Sequence, residues 1–240
     1  MSKKQTVLVT GSSKGIGAAI AKKFKEYDWV VIQNSRNRIL EDSLIGDTSI
    51  IADVTKLNEV SNLVEQIKST YGHLDAVVCN VGSGKNLESS NSQERWDHFI
   101  KVNLFSASNV IDKALPLLNN SSVTVISSIC GNSVIDGAPV EYSTAKAALN
   151  QYIKVMAMKY AKNEIRFNSV SPGNVIFDGS QWAEKLKLDE KNTTSYIREK
   201  VPMGKFIEPQ DIAEMAYYLS SIKSRFITGQ NFVIDGGQSL

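Results

Sequence analysis

Val7-Leu8-Val9-Thr10-Gly11-Ser12-Ser13-Lys14-Gly15-Ile16-Gly17 is the stretch that decides the fold. An apolar, β-branched run ends in a turn with glycine at 11, 15 and 17, and Ile16, Ile20 and Phe24 then recur at i, i+4 and i+8, one face of a helix. Strand, glycine loop and helix in that order put free backbone N–H groups and a positive dipole end beside a turn without Cβ atoms, where a pyrophosphate can come close. A glycine-rich turn alone only connects elements. After the first strand of an α/β chain it points to a dinucleotide.

The same unit recurs along the chain. Candidate strands are Thr6–Thr10, Trp29–Gln33, Ser49–Ala52, Ala76–Asn80, Ser122–Ser127, Ile165–Ser171 and Asn231–Ile234. Val60, Leu63, Val64 and Ile67 form a second helical stripe, and further helices fit Gln93–Ser108, Ala114–Leu118, Tyr142–Lys162 and Pro209–Ser220. Continuous apolar strands alternating with helices predict a mostly parallel sheet covered on both faces: a single doubly wound, Rossmann-like α/β domain over residues 1–240. Only Asn34 to Thr48 separate the second and third strands, so the second crossover helix is short or absent. Gly173 to Val201 is long, polar and charged around Trp182 and Tyr196. We read about 174–201 as a lid over the substrate; the plainer alternative is a surface helix pair guarding a core edge.

Composition excludes several classes. The 240 residues carry 27 Lys+Arg against 25 Asp+Glu, a formal net charge of +2, with no clustered basic face for nucleic acid. No apolar run is long enough for a membrane span, and Met1 to Thr6 leads into a strand without a signal-peptide core. Two cysteines, Cys79 and Cys130, lie in apolar segments, and neither His73 nor His98 has ligand spacing to them, so no metal site is expected. Buried, unpaired cysteines suit a reducing, cytoplasmic setting.

The end of the second strand selects the dinucleotide. A carboxylate there would hold the ribose 2′-OH of NAD, whereas this chain reads Gln33-Asn34-Ser35-Arg36-Asn37-Arg38. Arg36 can fork onto a 2′-phosphate, with Ser35 as a neutral donor and Lys14 on the opposite wall, so NADP is expected over NAD. Asp53 and Val54 follow the third strand, where the carboxylate could accept from the adenine amino group or cap the helix starting near Lys56. Asn80-Val81-Gly82 ends the fourth strand, where glycine lets a cofactor lie close.

Tyr142-Ser143-Thr144-Ala145-Lys146 opens a helix and stacks Tyr142 and Lys146 one turn apart. A free tyrosine ionises near pH ~10, so it is a poor base until positive charge, from a lysine and an oxidised nicotinamide, favours the phenolate. The pair is common on helix surfaces. Here it follows a strand ending in Ser127-Ser128, in a chain that already carries the glycine loop.

In that order the sequence resembles the short-chain dehydrogenase/reductase family over nearly its whole length. The family's glycine motif matches Thr10 to Gly17; its active-site Ser, Tyr and Lys match Ser128, Tyr142 and Lys146; its helix asparagine matches Asn103. Pro172-Gly173 and the closing Ile227-Thr228-Gly229 through Asp235-Gly236-Gly237 match as well. The resemblance implies hydride transfer between nicotinamide and a carbonyl or secondary alcohol. Tyr142 would be the acid/base, Ser128 would hold the oxygen, and Lys146 would bind the nicotinamide ribose. Asn103 would link Lys146 to solvent. It also implies cofactor contacts at Gly11, Ser13, Lys14, Gly15, Ile16, Gly17, Asn80, Val81, Gly82, Pro172, Gly173 and Val175, and a homotetramer or dimer through Gln93–Leu117 and Tyr142–Lys162. Ala145, Ala147, Ala148, Met156, Ala157 and Met158 would permit that close helix contact.

Several positions depart from the family pattern. Cys79-Asn80-Val81-Gly82 replaces Asn-Asn-Ala-Gly, and Phe177 stands where a threonine often holds the carboxamide, leaving Ser180 or a backbone group to take over. Glu141, before Tyr142, could perturb the site if it points inward. Ser128 lies one residue further from Tyr142 than usual, and Ser127 further still. For the substrate, Gly82-Ser83-Gly84-Lys85 could form an anion nest, and Asn132, Ser133, Asn174, Gln181 and Trp182 could address a polar, sugar-like molecule. The alternatives are a 3-oxoacyl-[acyl-carrier-protein] reductase and, in another class, a silent dinucleotide-binding sensor or scaffold.

Overall fold

The computed structural model describes residues 4–39, 44–85, 87–89 and 91–240. Seven strands form one sheet: β1 (Thr6–Thr10), β2 (Val30–Ser35), β3 (Thr48–Ile51), β4 (Leu74–Cys79), β5 (Leu118–Ile126), β6 (Arg166–Pro172) and β7 (Asn231–Ile234). Their order is β3-β2-β1-β4-β5-β6-β7 and every pairing is parallel. The chain winds from β1 to one edge, returns to β4 beside β1 and winds to the other edge. The loops leaving β1 and β4 therefore diverge and open a crevice at the carboxyl ends of the strands.

Eight α-helices are described: α1 (Gly15–Glu26), α2 (Leu57–Tyr71), α3 (Ser92–Ile100), α4 (Ser106–Ala114), α5 (Val140–Tyr160), α6 (Gln181–Leu188), α7 (Glu190–Lys200) and α8 (Pro209–Ser220). The period-2 alternation of the strands splits the core into two layers. Leu8, Ile32, Val77, Val123 and Val125 pack with residues of α2, α4 and α5, whereas Val7, Val9, Val31, Ala76 and Val78 pack with α1 and α8. Phe24 of α1 meets Trp29 and Tyr217 edge-on at 5.0 and 5.5 Å, which ties α1 to α8.

The expected strands all occur, and β1 and β7 have the expected bounds. β5 starts earlier than expected, at Leu118, because pairing with β4 continues across a register shift that no apolar residue signals. The single helix expected over Gln93–Ser108 is α3 followed by a π-helical turn, Lys101–Phe105, that feeds α4. A 3₁₀ turn, Leu115–Leu117, replaces the expected helix Ala114–Leu118, because Pro116 lacks the N–H a longer helix would use. Between β2 and β3 no helix occurs among the described residues, as the short connection predicts.

Candidate active site

A cleft of about 750 Å³ opens at the carboxyl ends of the strands and runs from Arg36 and Asp53 past the glycine loop to Tyr142 and Trp182. Its floor is the turn from β1 into α1. Asn91, Ser180 and Asp189 accept N–H bonds at the starts of α3, α6 and α7, but α1 has no side-chain cap among the described residues, which leaves its first N–H groups to other partners. Gly17 does not face the cleft; a Cβ there would collide with the Gly11 carbonyl, and its absence lets the helix close onto the turn. From β4, the Asn80 side chain donates to the carbonyls of Thr10 and Gly11 at 3.2 and 3.0 Å and splints the loop.

At one end Ser13, Lys14, Ile16, Asn34, Ser35, Arg36, Asp53 and Val54 line the cleft, with Lys14 and Arg36 exposed. The Ser35 hydroxyl donates to the Asn37 carbonyl. In this structure the turn after β2 takes that proton, while Ser35 itself lines the cleft. Burial opposes ionisation of Asp53, but hydrogen bonds from Thr55 and the charges of Lys56 and Arg36 outweigh it and hold the carboxyl below its ordinary range. The N-cap position of α2 is Lys56, so Asp53 is not the cap.

At the other end Ser128, Tyr142 and Lys146 come together. The Lys146 ammonium is buried and donates to the Ile126 carbonyl at 2.9 Å, 5.9 Å from the Tyr142 ring centre. Burial pushes Tyr142 up to about 12, opposed by its hydrogen bond with Ser128, and burial lowers Lys146 to about 8. Among the protein's own groups, then, desolvation of the phenol dominates and the Ser128 hydrogen bond opposes it. Ser127 turns its hydroxyl to the Lys146 carbonyl at 3.5 Å, which leaves Ser128 as the serine facing Tyr142. Gly82 runs against this group: a Cβ there would lie 2.8 Å from Lys146 Nζ and 3.0 Å from Asn103 Oδ1. Asn103, buried on the π-helical turn, accepts from the Ser83 N–H at 2.9 Å and donates to the Ser83 and Phe99 carbonyls. Glu141 turns away from the cleft to Arg95. Cys130 is half-buried, not buried as expected, and its N–H donates to Ser128 Oγ at 3.2 Å.

The third wall comes from the segment after β6. Val175 pairs with Ile207, and α6 and α7 follow. Pro172, Gly173, Val175, Gln181, Trp182 and Glu184 line the cleft. Trp182 stacks on Tyr196 at 5.5 Å and carries the Lys185 ammonium 4.4 Å over its ring. Phe177 lays its ring on Gly15, so Gly15 itself is screened from the cleft. The Ser180 hydroxyl, expected as a substitute ligand group, lines the cleft but accepts from the N–H groups of Phe177 and Ala183 as the cap of α6.

Other expected substrate contacts separate. Lys85 lines the cleft. Asn132 does not: its side-chain oxygen accepts from Asn150 and Asn231 at 2.8 and 2.7 Å. Asn174 is buried beside the Val175–Ile207 pairing, its carbonyl accepting from the Ile207 N–H at 3.0 Å, and lies outside the lining; Ser133 is likewise absent from it. No anion nest forms at 82–85, because Asn103 takes the Ser83 N–H and Ser83 Oγ takes the Lys85 N–H. His98 and Val102 also line the cleft, and no sequence pattern marks them; the packing of α3 and the π-helical turn beside Tyr142 places them there. Ala145, Met156 and Ala157 are buried within the chain, which removes them from the expected intersubunit contact. Among the described residues no His, Cys, Asp and Glu group could hold a metal, and no helix is long and apolar enough to cross a membrane.

The cleft suits an extended dinucleotide over most of its length. An uncapped helix start, a glycine loop splinted by Asn80, the close passage of Gly82 by Lys146 and a buried Asn34 Oδ1 without a partner among the described residues all agree with it. Phe177 is the exception, since its ring covers part of the glycine loop.

Comparison with known proteins gives the same picture. Residues 11–239 match the family model described as enoyl-(acyl carrier protein) reductase. The chain is 30% identical to the 3-oxoacyl-[acyl-carrier-protein] reductase FabG of Thermotoga maritima, over 96% of each chain. It is 31% identical to the L-fucose dehydrogenase of Mus musculus, over 98% of this chain and 89% of that one. Among solved structures, the Pseudomonas aeruginosa RhlG/NADP active-site complex superposes with a TM-score of 0.88 at 28% identity, covering 98% of this chain and 96% of that one.

Proposed function

The chain belongs to the short-chain dehydrogenase/reductase family and is an oxidoreductase of alcohols and carbonyls; from that premise we propose that it is NADP-dependent, that Ser128, Tyr142 and Lys146 carry the reaction with Asn103 behind them, and that its substrate is polar and sugar-like. The observation that carries the site is the convergence of those three side chains beside Gly82, at the end of a cleft that begins at Arg36. The bound dinucleotide supplies or accepts the hydride. Tyr142 delivers the proton to the carbonyl oxygen, or removes it from the alcohol in the reverse direction. Ser128, already bonded to Tyr142, holds that oxygen within reach. The Lys146 ammonium, fixed by Ile126, places positive charge beside the phenol and has further protons to offer a ribose hydroxyl.

Arg36 facing the cleft opposite Lys14, with no carboxylate at the end of β2, supports NADP. Trp182, Gln181, Glu184 and His98 supply an aromatic surface and hydrogen-bonding groups to the cleft that Tyr142 also lines, which supports a hydroxylated substrate over an acyl chain. The acyl-carrier-linked reading rests on the Thermotoga relative. Exposed Phe105, Val155 and Met158 on the α4–α5 side support a homo-oligomer, which light scattering at micromolar protein reads directly. A cytoplasmic location belongs to the same proposal and is checked by cell fractionation.

Nicotinamide fluorescence, titrated with NADPH and NADH in parallel, tests the cofactor reading. We expect NADPH to bind more tightly, and Arg36→Ser to weaken NADPH by about ten- to a hundredfold, the value of a charge-assisted contact, while leaving NADH unchanged. Equal binding of the two by the unaltered protein contradicts it.

A further inference from the structure

Arg95 sits in the first half of α3 and reaches two other parts of the chain. Its Nε donates to Glu141 Oε1 at 3.0 Å, and its Nη1 donates to the Ser89 carbonyl at 3.0 Å. Glu141 directly precedes Tyr142 in the first turn of α5 and is only 8% exposed. Its own backbone N–H at the helix start and the Arg95 guanidinium hold it below the ordinary carboxylate range, so the group is a charged, paired carboxylate beside the tyrosine.

The remainder of α3 and the π-helical turn after it continue the pattern. Phe99, four residues after Arg95, meets the Tyr142 ring edge-on at 6.3 Å. Asn103, four further on, grips both backbone groups of Ser83 next to Gly82 and Lys146. Successive positions at i, i+4 and i+8 therefore hold the residue before the tyrosine, the tyrosine ring, and the loop that lies on the lysine. Arg95 adds the far end of that loop at Ser89.

We infer that Arg95 and Glu141 are positioning residues: their ion pair locks the start of α5, and with it the Tyr142 hydroxyl, against residues 82–85, which line the cleft, and residues 87–89 beyond them. The pair also neutralises a carboxylate that would otherwise oppose ionisation of Tyr142. The inference rests on Tyr142 as the proton-transferring group. The other titratable groups around Tyr142 are Lys146 on its own helix, Cys130 after β5, and His98, Lys85 and Glu184 along the cleft. None of these is altered in the variants below, so differences between variants read the Arg95–Glu141 pair.

The experiment uses the NADP⁺ complex of the full chain with ring-¹³C tyrosine, the Tyr142 resonance being identified by its loss in Tyr142→Phe, together with amide hydrogen exchange of residues 82–89. Arg95→Met leaves the carboxylate unpaired. Tyr142 should then titrate higher by about one pH unit and the loop amides should exchange at least about tenfold faster. Glu141→Gln keeps a hydrogen bond to Arg95 but removes the negative charge, so Tyr142 should titrate lower while the loop stays protected. In Arg95→Met/Glu141→Gln the titration should return close to that of the unaltered protein while the loop still exchanges quickly. Unchanged titration and exchange in Arg95→Met overturn the inference, and so does faster exchange spread evenly over the whole chain with the titration unmoved. Should Arg95→Met fail to fold, Glu141→Gln decides: an upward or absent shift of Tyr142 overturns the inference. NADP⁺ that fails to lower Tyr142 in the unaltered protein contradicts the proposed function. A selective loosening of 82–89 in Arg95→Met would still support the clamp in that case.

Discussion

The two walls at the reactive end of the cleft are built differently. The wall from β5 and α5 is interior: Ser128 and Lys146 are buried, Lys146 is tied to Ile126, and α5 buries a regular stripe through Ala145, Leu149 and Ile153. The wall from the segment after β6 is peripheral. α6 buries no residue, α7 buries only Thr193 and Ile197, and the segment lines the cleft with residues that include Phe177, Gln181, Trp182 and Glu184. The first wall is fixed by the packing that stabilises the fold, whereas the second is held by few core contacts and is free to differ without loss of the fold. Changes in the first should therefore alter the rate of the chemical step, and changes in the second should alter what binds.

The largest expected effect tests the inner wall. Lys146→Met removes the buried ammonium beside Tyr142, and kcat should fall by about two to four orders of magnitude, the range for disabling acid/base catalysis. Steady-state rates check this, and a loss confined to KM would erase the distinction between the walls. The next effect tests the outer wall. Phe177→Ala uncovers Gly15 and should tighten NADPH by about tenfold with kcat unchanged, since the ring no longer has to leave the glycine loop. Fluorescence titration reads it, and weaker binding would make Phe177 part of the cofactor site. A third effect, on stability and not on turnover or binding, returns to Lys146. Its pKa is about 8 in the folded protein against 10.5 in the unfolded chain, so between those values the unfolded chain binds more protons and stability rises with pH. Denaturant titrations between pH 8 and 10 should show that rise, and Lys146→Met should flatten it.

The same division explains what was legible in the sequence. β1, the glycine loop, α5 and the Ser128–Tyr142–Lys146 group announce themselves because burial repeats along strands and helices and the motifs sit at element ends. The choice of Ser128 over Ser127 follows that logic, and the structure turns Ser127 to the helix backbone. Side chains in non-repeating segments have no such signal. Asn132 is polar and follows Ser128, yet its oxygen is taken by Asn150 and Asn231, two residues far along the chain. The Gly82–Lys85 turn looks open to an anion until Asn103, from a π-helical turn no periodicity reveals, takes its N–H. The state of Tyr142 without a cofactor is hidden for a related reason: its spacing to Lys146 can be read from the sequence, but the depth of burial that pushes the phenol up cannot.

The most direct test of the account follows NADPH formation from NADP⁺ and a mixed panel of aldohexoses, 6-deoxyhexoses and simple secondary alcohols, with the unaltered protein and Tyr142→Phe side by side. The account predicts turnover by the unaltered protein with at least one polyol-type member, and none by Tyr142→Phe, which still binds NADPH. Turnover by Tyr142→Phe at the unaltered rate would contradict it.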